Sequence, residues 1–582
     1  LLLARAAPVL CLGDVFAYGE EFEKAAVGRV LLADMGVSWR ELPYHPYEGG
    51  GFVQSLLDAV AFVLLGPSTL ALKATTLVWN LAILWAGFAL MDRNFGRSSA
   101  RIFGLLLIAA PASFQKISLL ALGIHFEATL FLLLLLGRGL DLARTSRAAA
   151  FSWGILGSIG GFACYFSYQS VLVVASVGAG LVFARAWPTP RALAALISGF
   201  LAGLTPWLLM WARWGPALFD VHGTDRGASG DGLRAVGSIV AAVFEGRGPL
   251  DAAAQLLGLA ALPWLALRLG WGPRLSDESR RASAWILGFA TLFGAAYLLS
   301  GFAVEALHHY VWLARLAPLW MAASLALSAV LGDCIQTGGG LRRRLGLLAA
   351  AVWIVSGLAA TVRECALGSP GPLARNLGLL ASQRGYDWGG YLQKLWPRLP
   401  LPEQEKLERF RSLRDGDGVL LEEALASVWA QTGGHDLGQI EQAAGTRAGA
   451  FVRGLGPWLQ QQGGRSLKAR LARARQAPAN LRPWLLEAVG RFGLGALRSV
   501  ELLEQESELG LSLGAEPEFF VGLGWRAFQA TGSRAGTGWR AERRRLRFAP
   551  ELIERFLAAR PERERALIAS GIEAARAAHA LP

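Results

Sequence analysis

The chain has 582 residues, of which 53% are hydrophobic and only 17% charged. Its mean hydropathy is +0.37, too apolar for a water-soluble protein of this size. The net charge of +13 would suit nucleic acid, but much of the excess is arginine at the ends of apolar tracts, where it fixes orientation in a membrane. Nucleic-acid binding is therefore set aside. Four cysteines are too few for a disulfide framework. None has metal-ligand spacing.

In chain order, the first apolar run ends near Leu12. The chain starts without methionine, and this run reads as the end of a first spanning helix, not a cleaved signal, with sequence expected to precede it. Further spans are expected near 71–91, 102–117, 120–137, 148–166, 168–184, 192–212, 251–268, 282–300, 310–331 and 346–362. With the first this makes about eleven. Arginine clusters separate them in pairs: Arg93, Arg97 and Arg101; Arg138, Arg144 and Arg147; Arg185 and Arg191; Arg268, Arg274, Arg280 and Arg281; Arg342, Arg343 and Arg344. Short cytoplasmic loops carry such clusters, so every cluster is expected on the cytoplasmic side. The tract 52–65 contains Gln54 and Asp58 and would invert all later clusters if it crossed. It is expected to lie in the outer interface, and 232–246 likewise.

The outer loops are then 13–70, 113–120, 213–250 and 301–309. They or the adjoining helix ends hold five of the seven histidines, His45, His125, His222, His308 and His309, together with Glu20, Glu21, Glu48, Glu127, Asp220, Asp225 and Glu305. Ionisable groups gathered at one membrane face suggest an active site there, since such groups are costly in an apolar setting and usually face a cavity. Ordinary placements compete with this. Glu20, Glu21 and Glu23 could be the solvated face of an amphipathic helix, and His308 and His309 plain interfacial residues. On a helix, His125 and Glu127 would point about 200° apart, so at most one would face a pocket.

From residue 364 onward long apolar tracts disappear and apolar residues recur at helical spacing. The expected division is a transmembrane domain over 1–363 and a soluble helical domain over 364–582, outside the cytoplasm. Three segments share a register: Phe451-Val452…Gly456, Leu485-Leu486…Gly490 and Phe519-Phe520…Gly524, their glycines each 34 residues apart. A two-helix repeat would produce this, with glycine where neighbouring helices approach closely. An irregular all-helical domain is the alternative.

The order of features in the first 330 residues resembles a known family. An acidic pair opens the first outer loop, Gly19-Glu20-Glu21-Phe22. Tyr47-Glu48-Gly49-Gly50-Gly51 leads into a helix ending Leu65-Gly66-Pro67-Ser68…Ala71-Leu72-Lys73. Phe95-Gly96-Arg97 follows, then Ala110-Pro111 and Gly123-Ile124-His125-Phe126-Glu127. This order is similar to the membrane-embedded glycosyltransferases of the C-type fold, which include protein O-mannosyltransferases and lipid A aminoarabinose transferases.

The resemblance implies an all-α, multi-pass protein of a bacterial inner membrane that moves a sugar from a polyprenyl-phosphate donor to an acceptor at the outer face. It implies a carboxylate base in the first outer loop. The family has Asp-Glu there, and this chain offers Glu20 and Glu21, with Asp14 just past the first helix. It implies a cation for donor phosphate at the outer start of a late span, where this chain has His308-His309-Tyr310…Arg315. His45, His125 and Glu127 are further substrate-binding candidates. The chemistry is coherent: a hydroxyl attacking an anomeric carbon needs a base, and the leaving phosphate needs positive charge or donors. No Asp-x-Asp occurs in an outer loop, and Asp415-Gly416-Asp417 lies in the C-terminal domain, so no metal cofactor is expected. Two other functions fit the composition. One is a non-catalytic scaffold of the same fold that recruits an envelope protein through its C-terminal domain. The other is a transporter of a lipid-linked precursor, which would be expected to show internal repeats.

Overall fold

A computed structural model of the protein describes residues 2–12, 19–32, 49–66, 69–145, 149–215, 249–271, 275–299, 315–337, 339–367, 396, 402–412, 418–431, 435–445, 448–456, 458–459, 466–493, 500–532 and 550–579. Among them there is helix and no strand. The chain forms two compact units, one of residues 1–16 and 44–374, the other of residues 17–43 and 375–582.

The first unit contains α1 (Leu2–Leu12); α2 (Gly19–Leu32) belongs to the second. The first unit continues with α3 (Gly50–Leu65), α4 (Thr69–Phe95), α5 (Arg97–Ile108), α6 (Ala112–Ser118), α7 (Thr129–Arg144), α8 (Ala150–Phe166), α9 (Ser170–Phe183) and α10 (Pro190–Trp214). It ends with α11 (Pro249–Trp271), α12 (Asp277–Leu299), α13 (Ala317–Thr337) and α14 (Gly340–Leu367). Six helices, α4 and α10 to α14, are long and apolar enough to cross a membrane. The expected tracts 102–117 and 120–137 are not two plain spans. Helix α5 stops at Ile108, because Pro111 lacks an N–H and disfavours helical backbone before it. The short α6 follows, and then an irregular stretch that reaches Ala128.

Arginines from three of the clusters come together at one end of this bundle. Arg93 pairs with Asp141 at 3.0 Å, joining the ends of α4 and α7. Arg144 donates to Asn94 Oδ1 at 2.7 Å, and Ser279 Oγ to the Asn94 carbonyl at 2.7 Å. Arg281 reaches the Ala143 carbonyl at 3.2 Å. Arg268 at the end of α11 pairs with Asp333 at the end of α13, and Gly332 lies against Ser99 at the start of α5. Both ends of α3 belong to the opposite half, where Thr69 starts α4 and Phe166 ends α8.

Gln54 and Asp58 turn out to face the protein. Both are fully buried, while Val60, Val63 and Leu64 on the other side of α3 are exposed. The polar interruption that suggested a helix lying in the outer interface is an internal hydrogen-bond network, and the outward face is apolar.

Helices α8 and α10 pack through small residues. A methyl on Gly157 would lie 2.1 Å from the Leu196 carbonyl, one on Gly161 2.0 Å from that of Phe200, and one on Gly203 2.2 Å from that of Ser158. Apolar helices lack a hydrophobic drive to associate in lipid, so close backbone approach supplies the attraction. Gly203→Leu should lower stability by about 1–3 kcal/mol, read as a fall in thermal midpoint in detergent. Gly178→Leu is the control, since nothing lies within 4 Å of the added carbon. Equal midpoints for the two variants would mean that this packing is not tight.

In the second unit, helices run in pairs: α15 (Glu403–Ser412) with α16 (Gly418–Gln431), α17 (Leu437–Ala444) with α18 (Ala448–Arg453), and α19 (Leu467–Arg475) with α20 (Arg482–Phe492). Then come α21 (Val500–Ser512) with α22 (Pro517–Gly532), and α23 (Pro550–Ala558) with α24 (Glu562–His579). The second helix of each pair packs on the second helix of the next. Glycines permit the approach: a methyl on Gly490 would lie 2.0 Å from the Phe519 carbonyl, one on Gly524 2.1 Å from that of Ile568, and one on Gly456 2.3 Å from the Phe492 ring. Ion pairs cross between layers: Arg453 pairs with Glu487 in the next layer at 2.8 Å, and Arg491 with Glu423 two layers back at 2.6 Å. Their guanidinium groups lie over the ring of Trp525 at 5.4 and 4.3 Å.

Candidate functional site

In the half of the first unit away from the arginines, three segments distant in sequence come together. Gly50 opens α3 directly against Gly123: a methyl on Gly50 would lie 1.9 Å from the Gly123 carbonyl, and one on Gly123 2.3 Å from that of Gly50. Gly123 also has φ +75°, a left-handed conformation that glycine adopts at little cost. Beside this crossing the Gly49 amide donates to the Tyr165 carbonyl at 2.8 Å. Only the absence of side chains lets these two stretches touch.

A buried polar network extends along α3 and α4. The Gln54 amide nitrogen donates to Asp58 Oδ1 and to Thr75 Oγ1, both at 2.7 Å. Trp79 Nε1 donates to Gln54 Oε1 at 2.9 Å. On the next face of α4, Lys73 Nζ donates to the Leu119 carbonyl at 3.0 Å, and Asn80 Nδ2 to that of Ser118 at 2.6 Å. Gln115 bonds the Ala110 and Gly357 carbonyls at 2.6 and 3.0 Å, and Thr361 donates to Gln115 Oε1 at 2.8 Å. Arg5, fully enclosed, donates to the Leu107 carbonyl at 2.6 Å and the Ile108 carbonyl at 3.1 Å. Side chains from α1, α4 and α6 thus satisfy open carbonyls of the broken α5–α6 segment, and Thr361 of α14 holds Gln115 in place. Irregular backbone inside an apolar bundle requires such donors.

His125 and Glu127 lie in this irregular stretch, not on a helix, and both are buried. Helical spacing therefore does not govern where they point. Glu127 Oε1 accepts the Leu122 N–H at 3.1 Å, so its carboxylate folds back onto its own loop. Of the other expected site residues, Glu21 on α2 is fully buried in the second unit, and Arg315 just before α13 is half-buried in the first. Of the expected first outer loop, the described helix α2 groups with the second unit. The charged α2 suits that setting better than lipid, and its apolar Ala25 and Val27 are enclosed there. Asp14, His45, His222, His308, His309 and the Asp415–Asp417 pair lie outside the described residues, as do residues 232–246 and the side chain of Glu20. Among the described residues no group of three or more His, Cys, Asp or Glu could hold a metal ion.

Arg5, Gln54, Asp58, Asn80 and Gln115 did not figure among the sequence candidates. One signal was legible: Lys73, Thr76 and Asn80, spaced by three and four, share one face of an otherwise apolar helix.

No protein-family model matches the chain, and no curated protein matches it. Among solved structures, the apo form of the oligosaccharyltransferase of Archaeoglobus fulgidus is similar to it at 15% identity and a TM-score of 0.36. The match covers 70% of this chain and 59% of that one, so the chain spans less than two thirds of that enzyme's length. A likeness this distant assigns neither fold nor activity. What the protein shows directly is a helical membrane protein with, among the described residues, six helices long and apolar enough to span a bilayer.

Proposed function

We propose that the protein is an integral-membrane glycosyltransferase that moves a sugar from a polyprenyl-phosphate donor to an acceptor at the outer membrane face. The observation that carries this reading is the meeting of the motif segments behind the resemblance: Gly49–Gly51, the Lys73 region and Gly123–Glu127 pack together in one half of the bundle. In this reading the arginine end is cytoplasmic, about eleven segments cross the membrane, and residues 364–582 lie outside and recruit a protein partner. Glu20 is the first candidate for the base, because Glu21 is enclosed, and Asp14 is the reserve. His45, His125, His308, His309 and Arg315 would hold donor phosphate, and Glu127 would shape the loop that carries His125.

Mass spectrometry of lipid co-purified with the protein tests the donor class. Polyprenyl phosphate is expected. Glu20→Gln keeps size and hydrogen bonding but removes basicity, so turnover should fall about 10²-fold while donor lipid is retained. Glu21→Gln should affect stability more than turnover. Wild-type transfer in Glu20→Gln would remove it from the mechanism and move attention to Asp14.

One observation favours the scaffold reading instead. Lys73 and Glu127 both bond backbone of the same segment, as they would if their role were architectural. Absence of any polyprenyl lipid from the purified protein would support that reading over the enzyme.

A further inference from the structure

We infer that Lys73 and Asn80 are positioning residues that set the place of His125, acting through the carbonyls at the end of α6. This rests on the reading above, in which His125 faces substrate. An ammonium group enclosed in an apolar bundle is costly to keep, and a methionine would fill the same space. The Lys73 side chain is fully buried and reaches Leu119, the residue that ends α6. About two turns along the same face, Asn80 takes the preceding carbonyl, that of Ser118. The ends of helices leave carbonyls open, and here α4 closes two of them with two side chains.

Leu119 is also where regular structure stops. From there the chain runs irregularly through His125 until Thr129 starts α7. The far side of the stretch is fastened by Glu127 to the Leu122 N–H and by Thr129 Oγ1 to the Phe126 carbonyl at 2.6 Å. Its middle is wedged at Gly123 beneath Gly50. With α4 as the rigid body, Lys73 and Asn80 fix where the stretch begins, and so the position from which the imidazole is presented. Neither need touch substrate.

The test uses the full chain in lipid nanodiscs, with Lys73→Met and Asn80→Leu made separately. Hydrogen–deuterium exchange should accelerate in peptides covering 119–128 and stay at wild-type rates in α8 and α10. With a polyprenyl-phosphate sugar, kcat/KM should fall about 10²-fold, mainly through KM, because a displaced His125 binds donor less well. Unchanged exchange over 119–128, or a uniform rise across the first unit, would overturn the positioning role. Should Lys73→Met fail to accumulate, Asn80→Leu decides alone. If the wild-type protein transfers no sugar, the glycosyltransferase reading fails while the exchange data still decide the positioning role.

Discussion

Gly123→Ala should destabilise the first unit by about 3 kcal/mol or more and release any donor lipid the wild-type protein retains. Two costs add. The residue has φ +75°, and a left-handed conformation costs a residue with a Cβ roughly 1–2 kcal/mol. The added carbon would lie 2.3 Å from the Gly50 carbonyl and 2.8 Å from Gln54 Cβ, so the backbone crossing must open. Gly66 is the comparison site: its φ is also +75°, with ψ 159°, a backbone region essentially confined to glycine, and no described atom lies within 4 Å of an added carbon. Gly66→Ala should therefore cost only a backbone term, about 1–3 kcal/mol. Thermal midpoints of the three proteins in one detergent check this. A loss for Gly123→Ala of no more than about 1–2 kcal/mol, the backbone term alone, would mean that the crossing is not tight and that His125 is not held by it.

The second large effect is expected in the other unit. Arg526→Met should destabilise it by about 3–5 kcal/mol, because removing one partner of a buried ion pair strips the other of its nearest opposite charge. Glu506 is fully enclosed, and its carboxylate lies 2.5 Å from Arg526 Nη1. Burial lowers the Arg526 pKa from its ordinary value and Glu506 raises it again. Gly493 completes the arrangement, since a methyl there would coincide with the guanidinium, and Arg470 donates to the Gly493 carbonyl. The double variant Glu506→Leu/Arg526→Met removes both charges and should recover much of the loss, as replacement of a buried pair by apolar residues often does. Exchange rates in peptides from α20 to α22 report this unit within the full chain. A single variant within about 0.5 kcal/mol of wild type would show that the pair is hydrated.

Much of this protein is legible without coordinates. Long apolar tracts bounded by arginine specify spanning helices, because hydropathy and charge are local properties that a window of sequence records. The arginines meet at one end for the same reason: each marks the end of its own helix. The 34-residue spacing of Gly456, Gly490 and Gly524 similarly marks the places where one helix must approach the next.

The site is different. Sequence marked Gln54 and Asp58 as interruptions, and both satisfy each other and Thr75 inside the bundle. It set His125 and Glu127 on a helix, but Pro111 and Gly123 break the segment and Glu127 turns back to the Leu122 amide. It set α2 in a loop between spans, and that helix groups with the second unit. In each case the deciding partner is a carbonyl, an amide or a packing surface that lies elsewhere in space. A polar residue in an apolar tract announces that it needs a partner, because burying it alone is costly. Which partner it finds depends on how the helices pack, and that only the tertiary structure decides.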